Sequence, residues 1–137
     1  MRVGDRAWRG IVTVSPAESL AAAAELMRRH RIDHLPVVER GALVGIVTAT
    51  DLDAAAPSAA TTLTVREVRD RLSRIPVSQA MTRDVIAVAP ETPLAEAARL
   101  MRDRDLGALP VVRGDEVVGI LTVSDLLAEL QAPDIKP

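Results

Sequence analysis

Two short polar motifs offer the clearest chemistry in this chain, and both have the spacing Thr-x-[Thr/Ser]-Asp. They consist of Thr48, Thr50 and Asp51 in the first case and of Thr122, Ser124 and Asp125 in the second. Each motif lies between an apolar run and a helical pattern, so its hydroxyls lie beside the free N–H groups of a helix N-terminus, where phosphate binds without bulk positive charge. The aspartate that follows can accept two hydrogen bonds from the vicinal hydroxyls of a ribose. The spacing therefore predicts a site for a phosphate and a sugar diol.

The same residues also have a purely structural interpretation. Ser, Thr and Asp are favoured at helix N-caps, so Thr50 and Ser124, or Asp51 and Asp125, would only cap the helices that follow. A capping preference explains a single Asp or Ser but not the complete motif in two places. Both interpretations stay open at this point.

The elements that must position these motifs occur twice in the chain. With Ile11–Leu52 set against Val85–Leu126, a constant offset of 74 residues gives 19 identical residues at 42 positions. Each copy opens with a β-branched run, Ile11–Val14 or Val85–Val88, that ends at a proline and predicts a strand.

Apolar residues at helical spacing follow in each copy and predict an amphipathic helix. They are Leu20, Ala23, Ala24 and Met27, repeated as Leu94, Ala97, Ala98 and Met101. The first helix has two candidate starts, a capping box of Ser15 with Glu18 or an N-cap at Ser19, and the second has Thr92 followed by Pro93. The Leu-Met stripes on these helices are expected in the core or in a subunit interface.

Each copy then predicts a hairpin and a second, shorter helix. The hairpins turn at Arg40-Gly41 and Gly114-Asp115, and the short helices begin at Asp51 and Asp125. Each copy is thus predicted as β-α-β-β-α, and the fold class as α+β. Two copies that cannot each bury both a helix face and a sheet face are expected to pack about a pseudo-two-fold axis.

The domain organisation follows from the segment between the copies. Residues 54–62 are small and polar enough to be a linker, and Thr64-x-x-Glu67 is a capping box that predicts a connecting helix at about 65–75. We divide the chain into a first repeat at 1–60, a linker and connecting helix at 61–76, and a second repeat at 77–137.

Composition excludes several classes of protein. The 17 Lys and Arg against 19 Asp and Glu give a net charge of −2, which disfavours a general role on nucleic acid or a membrane surface. The chain has no Cys, Phe or Tyr, so thiol chemistry is absent and the core must be aliphatic; the single Trp8 is expected to anchor the N-terminal segment. Without a signal-like segment or an apolar run of spanning length, we expect a cytoplasmic protein.

The chain resembles a pair of CBS (cystathionine-β-synthase-type) domains, also called a Bateman module. The resemblance rests on V-x-V-x-P, L-x-x-A-x-x-L-M, L-P-V-V and the strand ends G-I-V-T-A-T-D and G-I-L-T-V-S-D, and it covers about residues 3–130. Val77–Asp84 is similar to the family's lead-in segment, whereas Gly4–Trp8 lacks its methionine. The resemblance implies that the threonine or serine and the aspartate of each motif contact the phosphate and ribose of an adenosyl ligand.

The same resemblance implies a cleft between the copies, in which the motif of one copy faces the first strand and the pre-L-P-V segment of the other. The residues implied in this way are Ile86, Leu106, Gly107 and Ala108 opposite the first motif, and Val12, Ile32, Asp33 and His34 opposite the second. Asp33 would repel a polyphosphate, so AMP, ADP or a cationic adenosyl ligand is expected in its pocket rather than ATP. His34 either donates to a phosphate or is a partly exposed histidine beside a strand.

Two functions of different classes follow. The first is a regulatory module that senses AMP, ADP, ATP or S-adenosylmethionine and alters a partner or dimer surface; the second is a ligand-free scaffold that dimerises through apolar helices. No required cofactor, no metal site and no catalytic residues are predicted, so the protein is not expected to be an enzyme. The resemblance implies a homodimer and a regulated protein whose identity the sequence leaves unknown.

Overall fold

The computed structural model describes residues 1–7, 10–56 and 64–130 and shows an α+β chain that divides into two compact units. The first unit is Val12–Val85, and the second combines Met1–Ile11 with Ile86–Pro137. Trp8, the linker residues 57–62 and the chain after residue 130 lie outside the described residues, and so do the predictions made for them.

In its described residues, 12–56 and 64–85, the first unit holds one hairpin, three α-helices and a short 3-10 helix at Val77–Gln79. The strands β1 (His34–Glu39) and β2 (Ala42–Thr48) pair antiparallel, and the helices are α1 (Leu20–His30), α2 (Ala49–Ala55) and α3 (Val65–Leu72). The turn at Arg40-Gly41 has positive φ at both residues, as a two-residue type I′ turn requires. This confirms the predicted hairpin and connecting helix.

The second unit repeats the hairpin together with the helix before it and the helix after it. Its hairpin is β3 (Ala108–Arg113) with β4 (Glu116–Thr122), and its helices are α4 (Leu94–Arg104) and α5 (Val123–Leu130). Both hairpins have a β-bulge at the same place, where one valine of the second strand has no partner in the first strand. Two copies of one element order therefore confirm the predicted internal repeat.

The first predicted strand of each copy is reduced to a single bridge. Val14 donates to the carbonyl of Pro36 at 3.1 Å and accepts from Val38 at 2.9 Å, which makes an isolated parallel bridge to β1. The next bond of a parallel ladder would run from the N–H of residue 36 to the carbonyl of Val12, and proline has no N–H. Pro110 has the same effect beside Val88, so the strands predicted at 11–14 and 85–88 do not form.

One helix start matches a predicted alternative, and three other helix starts differ from the prediction. Ser19 is the N-cap of α1 and accepts from Ala22, which decides between the two predicted starts. Thr92 does not cap α4: its hydroxyl accepts from Ala89 in the preceding turn, and Pro93 holds the N-cap position. The short helices α2 and α5 begin two residues before the aspartates at which they were predicted to begin.

The opening segments of the two repeats are found in opposite units. Val77, which follows α3 in the chain, donates to the carbonyl of Glu18 at 2.7 Å and is fully buried in the first unit. Val3, the equivalent residue 74 positions earlier, donates to Thr92 at 2.8 Å and is fully buried in the second. The compact units therefore do not follow the boundaries of the sequence repeats.

Each unit has its own aliphatic core, as the composition predicts. Within the described residues the Leu and Met positions predicted for the first helices are buried or packed against a core, so these stripes belong to the core. The core residues of the first unit are Val14, Leu20, Ala23, Met27, Leu35, Val37, Val47, Leu52 and Val77. Those of the second are Val3, Val88, Leu94, Ala97, Met101, Leu109, Val111 and Leu121.

Candidate functional site

The first motif lies where β2 ends and α2 begins, a place that we call junction 1 (Thr48–Asp51). Thr48 is the N-cap of α2, and its hydroxyl accepts from the N–H of Asp51 at 3.2 Å. In return Oδ2 of Asp51 accepts from the N–H of Thr48 at 2.8 Å. This reciprocal capping box satisfies two backbone donors and holds the motif in one conformation.

The second motif lies between β4 and α5, at junction 2 (Thr122–Asp125), and repeats this geometry. Oδ2 of Asp125 accepts from the N–H of Thr122 at 2.8 Å and from its hydroxyl at 3.1 Å, while the N–H of Asp125 donates to that hydroxyl at 3.3 Å. The capping interpretation is therefore right about the aspartates, although the N-cap itself is the first threonine rather than Thr50, Ser124 or the aspartate.

Capping leaves part of each motif available to a ligand. Thr50 and Ser124 are exposed, and within the described residues their hydroxyls form no hydrogen bond. Asp51 and Asp125 are half-buried, and in the described part of the chain each uses only Oδ2, so Oδ1 keeps its lone pairs. A free hydroxyl beside a free carboxylate oxygen can donate to a phosphate and accept from a sugar hydroxyl.

The hairpin register places the pre-L-P-V segment of each repeat beside its own junction. His34 is the cross-strand partner of Thr48, and the carbonyl of Asp33 accepts from the N–H of Ala49 at 3.0 Å. The same arrangement joins Ala108 to Thr122 and the carbonyl of Gly107 to the N–H of Val123 at 3.2 Å. These contacts within a repeat were not predicted from the sequence, although the two-residue turn at Arg40-Gly41 was a signal for the register.

The two junctions differ in charge because of this segment. The Oδ1 of Asp33 lies 2.8 Å from Nδ1 of His34, and the carboxylate is largely exposed while the imidazole is mostly covered. An ionised carboxylate only accepts, so Nδ1 carries the proton, and Nε2 of the neutral ring is an acceptor. With Nδ1 engaged in this way, Nε2 is the ring nitrogen of His34 that remains to contact a phosphate. Junction 2 has Gly107 and Ala108 at these positions and no charge there.

Four further predicted residues lie at the margins of the cores. Val12 and Ile32 pack against the core of the first unit, and Ile86 and Leu106 pack against that of the second. All four are partly buried, which leaves apolar surface near the start of each hairpin. The assignment of these residues to the junction of the opposite repeat stays a prediction.

Residues 1–7, 10–56 and 64–130 contain neither a candidate metal site nor a membrane-spanning helix. No group of three or more His, Asp or Glu side chains is arranged to hold a metal ion. None of the helices in this part of the chain has both the length and the apolar character needed to cross a bilayer.

The chain consists of two repeats of a hairpin with flanking helices. Each repeat has a hydroxyl and a carboxylate at the junction where its hairpin ends, and this arrangement defines the class of protein as a tandem pair of small domains. The family model "CBS domain" matches the chain twice, over residues 3–58 and 77–132. The chain belongs to the CBS domain family.

Among curated proteins, the CBS domain-containing protein YhcV of Bacillus subtilis (strain 168) is 33% identical over 116 residues, which are 85% of this chain and 76% of YhcV. Other relatives are longer. The inosine-5'-monophosphate dehydrogenase of Korarchaeum cryptofilum is 36% identical over 119 residues, but this is only 22% of the length of that enzyme. The chain thus corresponds to a minor part of the enzymes that it matches.

Solved structures of CBS pairs share the fold over nearly the whole chain. The CBS domain pair of protein MJ0100, solved in complex with 5'-methylthioadenosine and S-adenosyl-L-methionine, has a TM-score of 0.80 at 28% identity and covers 96% of both chains. CBSX2, solved in complex with AMP, has a TM-score of 0.79 at 28% identity and covers 96% of this chain and 98% of its own.

Proposed function

We propose that this chain is a regulatory module that binds an adenosyl ligand at junctions 1 and 2. One observation carries the proposal: each junction presents an exposed hydroxyl beside an aspartate with a free oxygen, in a chain similar to proteins solved with adenosyl compounds. The hydroxyls of Thr50 and Ser124 donate to phosphate or an equivalent polar group, and Oδ1 of Asp51 and Asp125 accepts from the ribose. We further propose that the four partly buried apolar residues at the margins of the cores contact the adenine.

The charge beside each junction supports a choice among ligands. The exposed carboxylate of Asp33 lies in the segment next to junction 1, and it disfavours the closely spaced charges of a polyphosphate there. A ligand with a single phosphate or with a sulfonium is compatible with this carboxylate. The family resemblance places Asp33 opposite the second motif instead, and that placement stays a prediction; Gly107, the equivalent residue beside junction 2, carries no charge. We therefore expect AMP or S-adenosylmethionine to bind more tightly than ATP wherever Asp33 contacts the ligand.

The output that we propose is a change of surface, not a reaction. A ligand that binds one conformation more tightly shifts the population towards it and so alters what the module offers to a regulated protein or to a second copy. Part of this proposal is that the protein works as a cytoplasmic homodimer and requires no cofactor. The enzymes among its relatives support a regulatory role, because the chain matches only a minor part of them.

The test is a thermal-shift panel on nucleotide-stripped protein with AMP, ADP, ATP, S-adenosylmethionine and GMP. A ligand that binds only the native state raises the melting temperature by an amount that grows with its concentration. The matched variants are Thr50→Ala and Ser124→Ala, whose exposed hydroxyls stabilise nothing in the described structure, so the free energy of unfolding of each unliganded variant should stay within about 0.5 kcal/mol of the parent value. A saturable shift by an adenosyl compound, reduced in at least one variant, supports the proposal; no shift by any compound contradicts it.

A ligand-free dimerisation scaffold is the second candidate, and one observation favours it. Val123, Leu127 and Leu130 are 42%, 53% and 73% exposed and lie at i, i+4 and i+7 on α5, which makes an apolar stripe on one helix face. Such a stripe suits a second copy of the chain. Leu127→Glu should change the sedimentation coefficient from that of a dimer to that of a monomer under either function. Only a sensor should also show a melting temperature that rises with nucleotide.

A further inference from the structure

The strongest unexplained feature of the first unit is a basic surface on α1 and α3. Seven of the 17 basic residues of the chain lie in two short segments, 28–31 and 66–74, and their only acidic neighbours in and just before these segments are Glu25, Glu67 and Asp70. The basic residues are Arg28, Arg29, Arg31, Arg66, Arg69, Arg71 and Arg74, and all of them are exposed. In a chain of net charge −2, this concentration of positive charge is local.

The two segments form one continuous surface because α3 packs against α1. The hydrogen bond from Arg28 holds the pKa of Glu25 below its ordinary value, and the charges of Arg29 and Arg69 act in the same direction. Arg69 of α3 therefore lies on the side of α3 that faces Glu25, in the middle of α1. We call the seven arginines and the three carboxylates the α1–α3 face.

The α1–α3 face contains both a depression and available donors. A cavity of about 300 Å³ is lined by three arginines and two carboxylates, all from α3 or its end: Arg66, Glu67, Asp70, Arg71 and Arg74. Arg28 and Arg74 are engaged with Glu25 and Asp70 at 2.5 and 2.7 Å. Arg31, Arg66 and Arg69 take part in no ion pair within residues 1–7, 10–56 and 64–130. Their guanidinium groups are free to bind carboxylates in the bidentate geometry that arginine favours.

We propose that the α1–α3 face docks an acidic segment of another protein, at a site separate from the two junctions. The chemistry favours a protein over a nucleic acid. Neither α1 nor α3 has a Phe, Tyr or Trp side chain, the large platforms on which bases of a single-stranded nucleic acid stack. Val65 is 78% exposed at the start of α3 and supplies an apolar contact beside the arginines, as protein interfaces do.

The test uses the full chain, without nucleotide, and a fluorescein-labelled 20-residue polyglutamate peptide as the acidic probe. Binding is measured by fluorescence anisotropy at low and at physiological ionic strength, with a 20-residue oligothymidylate as the competing class of anion. The test variant carries Arg66→Gln, Arg69→Gln and Arg71→Gln. The control removes the same charge from exposed positions of α4, with Arg99→Gln, Arg102→Gln and Arg104→Gln.

We expect polyglutamate to bind the parent chain and the α4 control equally, and the α3 variant about tenfold more weakly, with affinity falling as salt is added. Glutamine has nearly the helix propensity of arginine, so the far-ultraviolet spectrum should not change. Equal losses in the two variants would show only general charge attraction and overturn the proposal. So would undetectable polyglutamate binding, or an oligothymidylate that binds more tightly than polyglutamate through the same arginines. None of these outcomes depends on nucleotide binding at the junctions.

Discussion

Replacing Asp125 separates the two roles that the structure gives to this residue. Its Oδ2 caps the backbone of α5, whereas its Oδ1 is the oxygen that we assign to the ribose. Alanine removes both oxygens. Asparagine keeps one carbonyl oxygen, which can still accept from the N–H of Thr122, but it removes the charge that a ribose diol prefers. The two substitutions should therefore differ in stability but not in the direction of their effect on binding.

The expected magnitudes follow from the half-buried capping box. Losing the acceptor of a capped N–H costs about 1 kcal/mol, and losing a negative charge in the first helical turn costs about 0.3–1 kcal/mol more. Asp125→Ala should therefore destabilise the protein by about 1–2 kcal/mol, which lowers the melting temperature by about 4–8 °C. Asp125→Asn should lose only the charge component. Asp51 has the same arrangement at junction 1, and the same values apply to it.

Binding provides the decisive comparison. The affinity for AMP, measured by isothermal titration calorimetry well below either melting temperature, should fall about tenfold or more in both variants, because a hydrogen bond to a charged acceptor is worth about 1.5–3 kcal/mol. Calorimetric unfolding without ligand supplies the stability values for the same samples. If Asp125→Asn and Asp51→Asn both bind AMP as the parent does, the aspartates act only as caps and the assignment to ribose is wrong.

Two further changes test the fold and its pH dependence. Gly45→Ala would place a Cβ 2.7 Å from Sδ of Met81 and 2.9 Å from the carbonyl oxygen of Thr82, so it should destabilise by about 1–3 kcal/mol; an unchanged urea midpoint would contradict this packing. The N–H of Thr64 holds the pKa of Glu67 below its ordinary value of 4.5, so its contribution is present above pH 4.5 and is lost as the pH falls through the lowered pKa. Glu67→Gln should therefore show a weaker loss of stability between pH 6 and pH 3 in thermal unfolding, and an equal loss would refute the role of Glu67.

Local signals in the sequence were enough to predict the repeat, the hairpins and the connecting helix. The turn at Arg40-Gly41 and the capping box of Thr64 with Glu67 act within four residues, so their physics is visible in the sequence itself. The prediction of strands at 11–14 and 85–88 was wrong because their pairing depends on a residue that is distant in the sequence. The proline of L-P-V-V removes the donor that the ladder would need, and this becomes evident only when the pairing partner is known.

The position of the two motifs in the fold was predictable from the sequence, but their surroundings were not. The motif residues lie at a strand-to-helix junction, as expected, because apolar alternation and helical spacing meet there. The exchange of opening segments, which places Val3 in one unit and Val77 in the other, depends on backbone contacts between residues more than 50 positions apart. No local pattern encodes such contacts, so the sequence repeats and the compact units divide the chain differently.

The two repeats share a backbone but have diverged in the chemistry around their second helices. In the second unit Arg6 forms an ion pair with Glu129 of α5, and the equivalent positions in the first unit, 74 residues away, are Ala80 and Ala55, which pack against the core. An ion pair that is about one-third exposed contributes little net stability, so this substitution is not explained by a gain in folding free energy. Leu126 of α5 packs against the core of its unit, as Leu52 of α2 does in the other, so the ion pair adds a charged contact to α5 where α2 has only Ala55 against the core. Together with the carboxylate of Asp33 beside junction 1 alone, this difference argues that the two junctions bind their ligands with unequal affinity.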